Sequence, residues 1–131
     1  MNVLYDSGVL IAADRNDRQA WADHRARLEA GVVPITTAPV VAQVSRSSRQ
    51  VQLRRLLRGC DLIDFTSRDS HEVGELLSRS GSSDVVDAHL VLTASRRPST
   101  ILTEDHADLG RLSDCLSRPV VIQRIRVPRR K

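Results

Sequence analysis

The chain has 131 residues, 40% of them hydrophobic and 27% charged, a balance that fits one soluble domain over residues 1–131 with a sizeable core. A single tyrosine, a single tryptophan and a single phenylalanine make up the aromatic set; the core is therefore aliphatic, and RNA reading by bases stacked on a ring platform is excluded. A net charge of +4, a pI near 10 and a basic set that is arginine apart from Lys131 tilt the chain mildly towards anionic partners, because the planar guanidinium suits phosphate and carboxylate.

Residues 2–5 are apolar and short, a strand candidate running straight into Asp6, Ser7 and Gly8. A helix over residues 8–13 follows, capped by Asp6 or Ser7, and an amphipathic helix over 17–30 closes at Gly31. Residues 32–35 are predicted as the second strand. Thr36 and Thr37 then open a helix that tolerates Pro39 in its first turn, presents Val40, Val41 and Val44 to the core, and places Gln43 on a face with Ser47. The arginine-rich stretch 46–58 continues helical to Gly59, either as a solvated face or as a phosphate track with Arg46, Arg49 and Arg54 as RNA-binding candidates.

Residues 60–65 form a third strand candidate with Cys60, Leu62 and Ile63 as its inward candidates. Thr66 with Asp69 three residues on resembles a capping box and opens a helix through Leu77. Gly81 breaks the chain before residues 82–96, a buried helix with Ser82 or Ser83 as cap and two acids, Asp84 and Asp87, in an otherwise apolar run. Residues 100–103 are the fourth strand, ending in Glu104 and Asp105. A short helix over 111–115 and a last strand at 120–122, extended by Ile125 and Val127, lead to a basic tail at 124–131. Strands alternating with helices predict an α/β fold with a mostly parallel sheet.

Cys60 and Cys115 have no metal-ligand spacing and read as a reduced pair. The start of the chain lacks a basic n-region, and no run approaches membrane length. A cytoplasmic protein that does not enter a membrane is expected.

Ligands bind at the carboxyl ends of parallel strands, and both Asp6 and Asp105 fall at such ends. Asp84 and Asp87, at i, i+3, share one helix face with Cβ atoms roughly 5–6 Å apart, so they either cap the helix or hold a cation. Like charges about 4 Å apart repel by about 4 kcal/mol at an effective dielectric near 20, and a divalent ion would remove that cost. Oxygen ligands alone favour Mg²⁺ or Mn²⁺, and the chemistry open to such a site is phosphodiester hydrolysis. A doubly wound phosphatase lacks support, since no Asp-x-Asp follows the first strand.

Three segments, Val-Leu-Tyr-Asp-Ser-Gly at 3–8, Asp-Val-Val-Asp-Ala-His-Leu-Val-Leu-Thr-Ala at 84–94 and Ile-Leu-Thr-Glu-Asp-His-Ala-Asp-Leu at 101–109, together resemble a PIN-domain ribonuclease of the VapC toxin type. The resemblance spans nearly the whole chain. It implies a PIN-like α/β/α sandwich around a central, mostly parallel five-stranded sheet, with Asp6, Asp87 and Asp105 as catalytic metal ligands. It makes Asp84 and Asp108 auxiliary acids, with Asp84 near the ion, and places hydroxyls beside the acids at Ser7 and Thr103. The departure is Gln43, where the family commonly carries a glutamate.

The implied function is a Mg²⁺-dependent endoribonuclease, the toxin of a toxin–antitoxin pair, cutting RNA such as tRNA or rRNA. A VapB-like antitoxin and homodimerisation are the implied partnerships. The alternative is a catalytically weak scaffold of the same fold that binds RNA or a protein.

Overall fold

A computed structural model describes residues 2–126. Five strands, β1 (Asn2–Tyr5), β2 (Ile35–Thr37), β3 (Asp61–Ile63), β4 (Ser99–Thr103) and β5 (Val121–Arg124), form one sheet in the order β3-β2-β1-β4-β5. Every pairing is parallel. The middle strand β1 is buried from Val3 to Tyr5, as expected of a parallel strand covered on both faces.

Helix α1 (Ser7–Asp14) packs with α2 (Arg18–Glu29), α3 (Ala38–Val44) and α4 (Val51–Arg58). A second group, α5 (Ser67–Ser80), α6 (Val85–Arg96) and α7 (His106–Ser113), packs together, leaving the sheet between two helical layers. Each α6 residue from Ala88 to Ala94 is buried, which is why its sequence is apolar all round rather than amphipathic. Leu4, Leu10, Ile35, Leu90, Ile101 and Leu102 lie wholly inside the core, each contributing about 1.5–3 kcal/mol by leaving water.

Local chemistry moves several element boundaries from the expected ones. The second strand begins at Ile35 rather than at residue 32 because Val32 is spent closing α2, its N–H donating to the Arg27 carbonyl, and Pro34 has no N–H to pair. The long helix expected beyond Val44 is instead two helices. Gln50 holds the break: its Oε1 accepts from the N–H groups of Arg46 and Ser47, while its Nε2 donates to the Val44 carbonyl. Gln43 and Ser47 therefore share no helix face, and Arg46 and Arg49 sit in a loop.

The third strand is shorter than 60–65, and Leu62 is 47% exposed rather than inward. As an edge strand, β3 turns Ile63 to the core on its other face. The cap of α6 is Asp84, not Ser82 or Ser83; the Ser82 hydroxyl instead accepts from the Asp84 N–H. Helix α7 starts at His106, well before residue 111, and Cys115 lies past its end. The last strand starts at Val121, not residue 120. Val127 and the tail from 127 to 131 lie outside the described residues.

Candidate active site

The end of β1 delivers Asp6 to the N-terminus of α1, where its Oδ1 accepts from the Ser7 N–H at 2.7 Å. Its other oxygen, Oδ2, accepts from the Thr103 hydroxyl at 2.6 Å. The sheet register makes this contact: Tyr5 lies opposite Leu102, so the next residues of β1 and β4 also meet, and the Asp6 N–H donates to the Leu102 carbonyl. Thr103 Oγ1 in turn accepts from the Asp105 N–H at 3.0 Å. One buried hydroxyl thus joins the two sequence motifs that end in Asp6 and Asp105.

Asp84 caps α6, its Oδ1 accepting from the Asp87 N–H at 3.0 Å. Asp87 occupies the first turn, half-buried. Its carboxyl is pushed up to about 7, first by burial and then by the negative charges of Asp84, Asp6, Asp105 and Asp108. These four charges act on Asp87 in the same direction. Asp105 is exposed, and Asp108 pairs with Arg111 one turn along α7.

Glu104 belongs to the same edge and was not anticipated. A Cβ placed on Gly8 would lie 2.9 Å from Glu104 Oε1, so the absence of a side chain at residue 8 lets this carboxylate approach the start of α1, where negative charge is favoured. The signal was in the sequence: Gly8 two residues after one acid, and Glu104 directly after Thr103.

Ser7, Gln43 and three arginines complete the expected set. Ser7 contributes its backbone N–H to Asp6. Gln43 is exposed in the last turn of α3 and brings no charge. Arg46, Arg49 and Arg54 are exposed around the loop joining α3 to α4, with Arg46 donating to the Ser45 carbonyl at 2.8 Å and Arg54 to that of Ser48.

The donor chemistry fits a hard divalent cation: carboxylate oxygens, a raised Asp87 and a buried Asp6 are all relieved by positive charge. Among the described residues, no three His, Cys, Asp or Glu side chains already close into a metal cage.

A central five-stranded parallel sheet with an acidic carboxyl edge, carrying α6 on its flank, defines a PIN-like α/β/α fold. Solved structures share it. One is the crystal structure of VapBC2 from Rickettsia felis bound to a DNA fragment from its promoter, with a TM-score of 0.67 at 15% identity over 96% of this chain and 100% of that one. FitAcB from Neisseria gonorrhoeae gives 0.61 at 13% identity over 92% and 95%, and PAE2754 from Pyrobaculum aerophilum 0.58 at 15% over 93% and 89%. No family model matches the chain, and no curated protein does. At these identities the likeness is one of fold. Among the described residues no helix is long and apolar enough to cross a membrane.

Proposed function

We propose that the protein is a Mg²⁺- or Mn²⁺-dependent endoribonuclease, the toxin of a toxin–antitoxin pair, held in check by a VapB-like antitoxin and working as a homodimer in the cytoplasm. The observation that supports this reading is the buried Thr103 hydroxyl at the carboxyl edge of the sheet, which donates to Asp6 and accepts from the Asp105 N–H. The shared fold with VapBC2 and FitAcB supports the partnership.

Asp6, Asp87 and Asp105 would hold the ion, with Asp84 and Asp108 completing the negative field. Bound there, the ion would supply Lewis-acid stabilisation of the phosphodiester and a lower pKa for water. The chain's own part is to keep Asp6 in one orientation through Ser7 and Thr103. Arg46, Arg49 and Arg54 offer exposed guanidinium groups for phosphates, and with Tyr5 buried and Trp21 covered by Arg55, contacts to RNA rest on its backbone rather than on stacking.

Purified protein is expected to cut RNA only with Mg²⁺ or Mn²⁺ present, and Asp6→Ala or Asp87→Ala to abolish cleavage; metal-independent cutting, or full activity in either variant, would sink the reading. Gln43 favours the second reading, a weak scaffold, because it removes a charge from the usual set. In that case Gln43→Glu would create cleavage where the parent shows little.

A further inference from the structure

The residue before Asp6 is held by a buried polar chain that the acidic edge does not itself require. Tyr5 is wholly buried. Its hydroxyl lies 2.8 Å from His24 Nδ1, and an Arg27 guanidinium N–H donates to it at 3.1 Å. Arginine can only donate, so the phenol accepts from Arg27 and gives its own proton to His24, which must then be unprotonated at Nδ1. The phenol oxygen thus accepts from one side chain and donates to the other. The same residue is gripped at its other end, where the Thr36 hydroxyl donates to the Tyr5 carbonyl at 3.0 Å.

The chain has been given room and cover. A Cβ on Gly59 would stand 3.2 Å from His24 Nε2, so glycine at the end of α4 leaves the imidazole its place. Trp21 packs edge-on against His24 with ring centres 5.7 Å apart, and Arg55 from α4 lies over the Trp21 ring at 4.2 Å. Burying the Tyr5 hydroxyl and the His24 ring in an otherwise aliphatic core is costly unless they are satisfied, and half-buried Arg27 reaches in to the phenol. A phenylalanine at residue 5 would fill the same space without that demand.

We propose that Tyr5, His24 and Arg27 are positioning residues, through which α2 fixes the end of β1 and so the orientation of Asp6 towards its cation. This rests on the proposed reading of Asp6 as a metal ligand. The peptide joining Tyr5 to Asp6 is held by β2 through Thr36 and by β4 through Leu102; the phenol adds an anchor from α2.

Mn²⁺ alone is the probe, titrated against the full chain and followed by loss of the free-ion paramagnetic resonance signal. Tyr5→Phe and His24→Leu are expected to weaken Mn²⁺ binding by about 3- to 10-fold, the range of one lost hydrogen bond. His24→Gln, which keeps an acceptor for the phenol, should recover most of the affinity. Asp69→Asn, in a separate buried network, supplies the control: it should lower stability without changing Mn²⁺ affinity. Should His24→Leu not fold, Arg27→Met tests the same chain, with Trp21 emission reporting whether the fold is intact.

Wild-type affinity in Tyr5→Phe, or weakening that merely follows stability and extends to Asp69→Asn, would overturn the proposal. An Asp6→Ala variant that binds Mn²⁺ like the parent would instead remove the metal-ligand reading beneath it. Loss in Asp6→Ala with no change in Tyr5→Phe leaves that reading standing and refutes the positioning role alone.

Discussion

The Thr103 hydroxyl donates to the Asp6 carboxylate at 2.6 Å across 97 positions of sequence, and both groups are buried. Because the same oxygen accepts from the Asp105 N–H, Thr103 sets two acids with one side chain. Thr103→Val keeps the shape and removes the donor. It is expected to cost on the order of 1–2 kcal/mol of stability, the penalty of a buried carboxylate oxygen left without its partner, and to weaken divalent-ion binding. Denaturant unfolding with and without Mg²⁺ measures both. Equal stability in the two proteins would show the bond to be of no consequence.

Asp87 should destabilise the metal-free fold at neutral pH. Its carboxyl titrates near 7 when folded against 3.8 ordinarily, so between these values the folded state keeps a proton that the unfolded chain has released. The cost grows as pH rises from about 4 and is complete above about 7. Asp87→Asn is therefore expected to be more stable than the parent at pH 8, by on the order of 1–2 kcal/mol once solvent screening is allowed for, and no more stable at pH 4. Thermal unfolding in chelator at the two pH values tests this, and a stability gain independent of pH would contradict it.

Two buried histidines make the opposite contribution. Burial lowers His24 below its ordinary 6.5, helped by Arg27 and Arg55, and burial also lowers His89 in spite of Asp69 nearby. His89 Nε2 lies 3.4 Å from Asp69 Oδ2, yet neither ring nitrogen makes a hydrogen bond. The unfolded chain takes up these protons first as pH falls, so the stability is intact above pH 6.5 and is lost below it, at up to about 1.4 kcal/mol per pH unit for each histidine. Asp87 acts in the other direction in both proteins, so the comparison is the test: from pH 8 to pH 5 the denaturant midpoint of His89→Leu should rise relative to that of the parent. The same slope in both would exclude His89 as a source.

Gly8→Ala tests the approach of Glu104 to α1. The new methyl would meet Glu104 Oε1 at 2.9 Å, and the flexible carboxylate can swing away, so a loss of about 1 kcal/mol or less is expected, small beside an overpacked core. Glu104→Ala in the same chain should remove that loss. A double variant no better than Gly8→Ala alone would place the clash elsewhere.

The capping box of α5 is the plainest case of legible structure: Thr66 and Asp69 exchange side-chain and backbone hydrogen bonds at the spacing read from the sequence. The acids at the strand ends and in the first turn of α6 were legible for the same reason, since strand, cap and helix period are local properties. The break after Val44 was not, because it depends on Gln50 reaching back to Val44 and across to Asp14.

By itself, then, the sequence determined the alternation of strands and helices, the aliphatic core and the positions of Asp6, Asp84, Asp87 and Asp105. Only the tertiary structure decided which of these acids feel one another, that Thr103 bridges two of them, that Glu104 lies over Gly8, and that Tyr5 is tied to α2. Local patterns follow from backbone sterics and hydrogen-bond reach over a few residues. The pairing of β1 with β4, which brings residues 6 and 103 together, is a long-range choice made by burial of both strands on both faces, and no short stretch of either contains it.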